Sequence, residues 1–225
     1  MITLHHLENS QSIRILWLLE ELGIEYGFKM YDRDPKTMLA PAEYKALSPL
    51  GTAPVITDGK VTLAESNAII DYILDKADAK TWRPAAGSKN RPAYLFWFHT
   101  AQGSFQSILT MGFVLSLTVQ RTPALLRPLI NKVLSVLQNS FVKPRVTNIL
   151  KAMESDLSHS KFLAGGRITA ADIAVGYTLH MAGMRGLLDD YPETKAYLER
   201  MKNRPAYQAA IKKDGKFTGI PTRSK

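Results

Sequence analysis

Ser10 and Ser12 flank Gln11 at the turn between an alternating segment, Ile2–Leu7, and an apolar run that begins at Ile13. Hydroxyls at the start of a helix face its unpaired amides and the positive end of its dipole, a setting that suits an anion. Asn9 offers an amide donor at the same turn. Glu65-Ser66 heads a second helical run, where a helix N-terminus and a hydroxyl make a seat for a carboxylate. Plainer roles are open to each: Ser10 or Ser12 as a helix cap, Ser66 as a cap beside a solvated glutamate. Pro54, which closes Ser48-Pro49-Leu50-Gly51-Thr52-Ala53-Pro54, reads equally as a trans proline in an ordinary loop.

Other chemistries are poorly served. The chain has no cysteine among its 225 residues. Disulfides, thiolate metal sites, iron–sulfur clusters and a cysteine nucleophile are therefore excluded, and any sulfur chemistry must use a sulfur from elsewhere. His5 and His6 are neighbours on a strand and point to opposite faces, which is poor geometry for one metal ion. His99, His159 and His180 stand apart in sequence, so structural histidines and no metal are expected. Ser140-Phe141-Val142-Lys143 and Ser158-His159-Ser160-Lys161 match a Ser-x-x-Lys pattern too short to carry weight. No nucleophile elbow, phosphate loop or dinucleotide fingerprint occurs.

The elements that must position these residues read as two kinds. Ile2–Leu7 alternates as a strand, Ser12–Leu22 is a helix stopped by Gly23, and Tyr26, Phe28 and Met30 mark a second strand. Val55–Leu63 is a hairpin around Asp58-Gly59, and Ser66 opens a helix through Ile73. From Arg91 the pattern is helical: two long helices, Pro92–Gln120 and Leu125–Leu157, then Thr169–Met184, Glu193–Asn203 and Pro205–Asp214. Thr169 and Asp172 form a capping-box pair.

Charge divides the chain in the same place. Residues 1–78 carry a net charge of −5 and residues 79–225 a net +14, within a total of +9. The expected domains are therefore 1–78, α/β, and 91–225, all-helical, joined by a linker at 79–90. The surplus of positive charge alone suggests nucleic acid, but no aromatic-interleaved basic motif accompanies it, and no nucleic-acid partner is expected. Tyr94–Gln120 lacks formal charge for 27 residues, yet His99, Gln102, Ser104, Gln106 and Ser107 interrupt it, so a buried helix is expected there and no membrane span. Phe105, Met111 and Phe113 on that helix are candidates for lining a ligand pocket. The N-terminus shows no secretory leader, and a cytoplasmic home is expected.

Four segments, in order and spacing across nearly the whole chain, resemble the glutathione S-transferase family. Ser10-Gln11-Ser12-Ile13-Arg14 is similar to the Ser-x-x-x-Arg turn of its serine-type members. Ser48–Val55 resembles the Asn-Pro-x-Gly-x-x-Pro segment that ends in a cis proline, and Glu65-Ser66-Asn67-Ala68-Ile69 the Glu-Ser-x-Ala-Ile signature. Phe162–Asp172 is similar to the helix-capping segment of the second domain. The Trp17-Leu18-Leu19 run in the first helix resembles bacterial and fungal members most.

The resemblance implies a thioredoxin-like domain that binds glutathione as co-substrate, and an all-helical domain that contributes the electrophile pocket. Ser10 would donate a hydrogen bond to the glutathione sulfur, with Asn9 as rival donor. A free thiol ionises near pH 8.5, and one charge-assisted hydrogen bond of about 1.5–3 kcal/mol is enough to lower that by one to two units. A cis Pro54 would expose the Ala53 backbone to the cysteinyl part of glutathione as an added strand. Ser66 would hold the γ-glutamyl carboxylate and Glu65 the ammonium group. Thr52 stands where relatives carry a longer Gln, Arg or Lys. The implied function is a cytoplasmic, homodimeric detoxification enzyme that conjugates glutathione to small hydrophobic electrophiles or reduces hydroperoxides. The alternative is a non-catalytic transferase-like binding module.

Overall fold

The computed structural model describes residues 1–217; residues 218–225, the end of the expected helical region, lie outside the described residues. Strand β1 (Ile2–Leu7) leads to α1 (Ile13–Leu22), which ends where Gly23 turns left-handed at φ 60° and its amide caps Leu19 and Glu20. Strand β2 (Gly27–Tyr31), a one-turn helix α2 (Ala42–Lys45), β3 (Val55–Asp58), β4 (Val61–Ala64) and α3 (Ser66–Lys76) follow. The elements match the expected order, β-α-β, an irregular stretch, then β-β-α, with α2 added in the irregular stretch.

The four strands form one sheet in the order β2-β1-β3-β4. β1 and β2 run parallel, while β3 runs antiparallel to both β1 and β4. Register places His5 opposite Val55, Val55 opposite Ala64 and Leu7 opposite Tyr31. Hence the end of β1, the start of β3 and the end of β4 meet at one end of the sheet. The alternation of β1 splits its side chains: Ile2 and Leu4 join the main core under α1 and α3, whereas Leu7 packs with Tyr31, Tyr44 and Val55 in a small second core on the opposite face.

The remaining elements are helical. A 3-10 turn at Lys80–Trp82 precedes α4 (Arg91–Thr100), which runs through a π-helical segment (Ala101–Gln106) into α5 (Ser107–Arg121). α6 (Arg127–Leu137) likewise passes through a π-helical segment (Gln138–Val142) into α7 (Lys143–Leu157). The two long helices expected from the pattern are thus present, each with a wide turn inside it. α8 (Ala170–Met184), α9 (Pro192–Lys202) and α10 (Pro205–Asp214) complete the fold. α8 is apolar all round and buried at its centre, where Ile173, Ala174, Val175 and Leu179 have no exposure. The expected capping box forms at its start: the buried Asp172 carboxylate accepts from Thr169 N–H at 2.7 Å and also from Tyr197 Oη at 2.6 Å. α1 is the shared wall, packed against α3, α8 and α10. Trp17 enters the α8 groove at Gly176, where a Cβ would stand 2.7 Å from the indole. Among the described residues, no helix is long and apolar enough to cross a membrane.

Candidate active site

The convergence at this end of the sheet is what builds the site. The chain leaves β1 through Glu8 and Asn9, and Asn9 takes φ 46°, a conformation that asparagine tolerates better than most residues. Ser10 follows, buried at 5% exposure. Its hydroxyl donates to Leu7 O at 2.7 Å, accepts from Ser12 N–H at 3.2 Å and lies 2.7 Å from Ser12 Oγ. Ser12 stands at the N-cap of α1 but makes no side-chain cap bond; its hydroxyl turns inward to His6 Nδ1 at 2.9 Å.

Across from this turn, the Ala53–Pro54 peptide bond is cis, and Val55 begins β3 immediately after it. Ala53 rests on the small core of Leu7, Tyr31, Tyr44 and Val55, with Tyr44 Oη donating to His5 O at 3.3 Å. That cluster ties the proline loop to β1. Beyond Ala64, Glu65 adopts φ 73° and ψ 121°, a strained backbone for a residue with a side chain. Ser66 then opens α3 with a buried hydroxyl that has no hydrogen-bond partner. A buried polar atom without a partner is costly, so this position suits a ligand group that completes it.

Ser10, Thr52 and Ala53 share a cleft of about 300 Å³ with Leu7, Gln11, Arg33, Lys45 and Tyr177. Pro54, Glu65 and Ser66 do not line it; Pro54 directly precedes Val55 and Glu65-Ser66 follows Ala64, and Val55 and Ala64 pair with each other beside the end of β1. Asn9 lines the adjoining cavity of about 230 Å³, which also takes in Gln11, Arg33, Leu109, Phe113, Tyr177, Met181 and Arg185. Tyr177 from α8, Gln11 and Arg33 belong to both, so the two spaces are neighbours across one tyrosine.

Of the three residues expected at a ligand pocket on the uncharged helix, only Phe113 lines this space. Phe105 is fully buried in the core. Met111 faces a different groove, about 470 Å³, with Ile108, Phe141 and Arg145. The helical turn explains it: at about 100° per residue, Leu109 and Phe113 share a face that Met111 leaves by roughly half a turn.

Three arginines, Arg14, Arg33 and Arg185, set the electrostatics around Tyr177. Arg33 is fixed by donating to Glu8 O at 3.0 Å, Met38 O at 2.9 Å and Asn9 O at 3.3 Å. Arg14 is fully buried, its guanidinium 5.3 Å from the Tyr177 ring centre, and none of its side-chain nitrogens has a hydrogen-bond partner. Burial pulls Arg14 down to about 10. Arg185 caps the second cavity, 5.3 Å from the Phe113 ring centre, and makes no ion pair among the described residues. Burial lowers its pKa as well. Burial raises the Tyr177 phenol, while the charges of Arg14, Arg33 and Arg185 pull it back. No local signal marked these groups, because Tyr177 and Arg185 meet Ser10 only through tertiary packing. No group of three or more potential metal ligands occurs among the described residues.

The four-stranded mixed sheet, with a cis-proline loop before β3 and an all-helical region following it, has the thioredoxin-like plus helical-domain architecture. Residues 10–76 match the family description "Glutathione S-transferase, N-terminal domain" and residues 131–214 match "Glutathione S-transferase, C-terminal domain". Glutathione S-transferase 3 of Schizosaccharomyces pombe is 31% identical over 215 residues, covering 95% of this chain and 88% of that protein. Glutathione S-transferase 1 of Saccharomyces cerevisiae is 29% identical, with 95% of each chain covered. A glutathione S-transferase crystal structure from Actinobacillus pleuropneumoniae shares 32% identity and superposes with a TM-score of 0.79 over 100% of this chain and 97% of that one. A sphingomonad glutathione S-transferase complexed with glutathione has the same fold, with a TM-score of 0.70 at 24% identity over 95% of this chain and 98% of that one. The chain belongs to the glutathione S-transferase family.

Proposed function

We propose that this protein binds glutathione at the β1–α1 turn, ionises its thiol with the Ser10 hydroxyl and transfers it to a small electrophile in the adjoining cavity. The observation that carries the reading is the meeting of Ser10, the cis Ala53–Pro54 loop and the partnerless Ser66 hydroxyl at one end of the sheet. Ser66 and the amides at the head of α3 supply donors for the γ-glutamyl carboxylate, and Glu65 supplies a partner for the ammonium group. The Ala53 backbone offers strand-like pairing to the cysteinyl residue. Thr52 is too short to reach far, and Lys45, Gln11 and Arg33 on the cleft wall support a hold on the outer carboxylate. Ser10 stays a hydroxyl throughout; the nucleophile is the ligand's sulfur. Asn9, aimed at the second cavity, takes the lesser part in this scheme.

The second cavity sharpens the electrophile. Leu109, Phe113 and Met181 give it an apolar wall, while Arg185 and Arg33 bring positive charge with no carboxylate in its lining. An electrophile with an apolar body and an acidic group fits both features better than a wholly hydrophobic one. A hydroperoxide of the same kind would draw on the same thiolate. Residues 1–78 form the glutathione-binding unit of this scheme, 79–90 the linker and the rest the electrophile unit. A homodimer is supported by exposed apolar side chains on α6, where Leu129, Val133 and Val136 are each more than half exposed.

Conjugation assays with wild type and Ser10→Ala, using a carboxylated and a neutral aryl halide, test the reading. Wild-type activity that Ser10→Ala lowers roughly tenfold to a hundredfold is expected. A wild type that neither conjugates nor binds glutathione would leave a non-catalytic module in its place.

A further inference from the structure

Ser10 is the first of four hydrogen-bonded side chains that run inward from the cleft. Its Oγ lies 2.7 Å from Ser12 Oγ, Ser12 Oγ lies 2.9 Å from His6 Nδ1, and His6 Nε2 lies 2.6 Å from Asp214 Oδ1. All four are buried, Ser12 and His6 completely. The line crosses from the turn after β1, under α1, to the last residue of α10. Resting on the reading that Ser10 meets the glutathione sulfur, we propose that this line is a proton relay: His6, held by Asp214, takes up through Ser12 and Ser10 the proton that the bound thiol loses.

Counting donors sets the direction. A carboxylate can only accept, so the short contact to Asp214 assigns the ring hydrogen to His6 Nε2. Nδ1 of the neutral ring is then a bare acceptor, and the Ser12 hydroxyl supplies its donor. Ser12 Oγ accepts in turn from Leu7 N–H at 3.2 Å and has a second lone pair for Ser10. Leu7 O lies 2.7 Å from Ser10 Oγ and 3.2 Å from Ser12 Oγ and holds the Ser10 hydrogen in the ligand-free protein, so the relay requires that hydrogen to turn from Leu7 O to Ser12 when the thiol enters. With a thiol in the cleft, the S–H proton passes to Ser10 Oγ while the Ser10 hydrogen moves to Ser12 and the Ser12 hydrogen to His6 Nδ1. One S–H bond breaks and one N–H bond forms. Both serines end as hydroxyls, no electron pair leaves, and the net charge is unchanged. Every hydrogen now points outward: Nδ1–H to Ser12, Ser12 to Ser10, and Ser10 to the thiolate. The arrangement has the logic of a Ser-His-Asp triad, except that the serine conducts the proton and the ligand's sulfur attacks.

The position of Asp214 is independent support. It closes α10 at the end where the helix dipole disfavours an acidic side chain, yet it is kept there at 5% exposure. Its other oxygen accepts from Lys216 N–H at 3.0 Å, so both oxygens are fixed. The groups facing His6 are few. From β2 comes the Phe28 ring, 5.5 Å away, and from α1 the uncharged Ser12. α10 adds Lys213, whose ammonium lies 5.6 Å from the Phe28 ring centre, beside Asp214 itself. Lys216, just beyond, turns its ammonium to Asp32 at 2.7 Å and Glu8 at 3.6 Å. Asp214 is therefore the group in direct contact that can compensate a positive His6.

His6, Ser12 and Asp214 act through Ser10 and are positioning residues. The decisive measurement uses the unaltered protein: ultraviolet thiolate absorbance and proton release are followed together as glutathione is added in weak buffer, at a pH where free glutathione is a thiol. Thiolate that forms with little matching proton release supports the relay. Release of one proton per thiolate overturns it and leaves the role of Ser10 intact. Failure of wild type to form thiolate removes the Ser10 reading and the relay together. Asp214→Asn keeps an acceptor for Nε2–H, and His6→Gln removes the ring. Each is expected to raise the pKa of the bound thiol by about one unit, a tenfold loss of thiolate at neutral pH, with the KM for glutathione within about twofold of wild type. Ser10→Ala serves as the reference for a broken first link. Variants that bind and ionise glutathione as wild type does, beside a Ser10→Ala that does not, overturn the relay alone.

Discussion

At the scale of single residues, the site is defined as much by a group without a partner as by those with one. The Ser66 hydroxyl is buried and makes no hydrogen bond within the protein. Ser66→Ala therefore removes nothing from the ligand-free fold, and its melting temperature should equal or exceed that of wild type. The same change removes a hydrogen bond to a ligand carboxylate of about 1.5–3 kcal/mol, so the KM for glutathione should rise roughly tenfold or more. Steady-state kinetics beside calorimetric melting checks both halves, and a Ser66→Ala that melts early would contradict the assignment. Ser10→Ala should differ in kind: kcat/KM falls roughly tenfold to a hundredfold through lost thiolate, from a hydrogen bond of the same size. Under the proposed function, Arg185 would discriminate between electrophiles. Arg185→Ala should raise the KM for a carboxylated aryl halide about fivefold or more and leave a neutral one within about twofold. Equal effects on the two substrates would show that the guanidinium serves packing alone.

Elements transmit these placements, and one carboxylate at the end of β3 shows how. Asp58 accepts from the N-terminal ammonium at 3.2 Å, from Tyr72 Oη at 2.8 Å and from Lys76, tying β1 and β3 to α3. The Lys76 hydrogen bond, followed by that of Tyr72, lowers its pKa from 3.8 to about 2. A folded-state value below the unfolded one means that this stabilisation is complete above pH 3.8 and is lost as pH falls towards about 2. Wild type should therefore lose urea resistance through that window, and Asp58→Asn should flatten the loss while being less stable at neutral pH. Urea midpoints at several pH values decide it. Such ties also show what the sequence made legible. Helix and strand limits are local: Gly23 stops α1, Asp58-Gly59 turns the hairpin, and the Thr169/Asp172 pair starts α8. Ser10, Pro54 and Ser66, the residues on which the proposed site rests, each sit in a short motif at an element boundary and so can be singled out from sequence. Tyr177, Arg185 and Asp214 carry no such motif. Asp214 reaches His6 across 208 positions, a contact that only the docking of α10 on α1 creates. Met111 was misplaced for the same reason, since spacing tells which residues share a helix face but not which face turns to the cleft.

At the scale of the whole molecule, the positive surplus changes meaning once it is placed. The first unit carries −5 and the remainder +14, and the two sit side by side in one chain with α1 against α8 and α10. Within the chain, opposite charges already meet in pairs such as Glu20 with Lys213 and Asp32 with Lys216. These exposed pairs contribute little to stability each. What remains is a long-range field of opposite sign at the two ends of the sequence. Were the proposed homodimer to set the first unit of one subunit against the helical unit of its partner, that field would orient the encounter and speed it, while the apolar side chains of α6 would contribute affinity that salt does not weaken. Screening lengths shrink from about 30 Å at 0.01 M salt to about 10 Å at 0.1 M, so the two contributions separate experimentally. The association rate should fall by roughly an order of magnitude across that range, with a much smaller change in the dissociation rate. Stopped-flow mixing of labelled subunits measures both rates. An association rate that is flat in salt would mean that the charge contrast plays no part in assembly and that the apolar surface carries it alone.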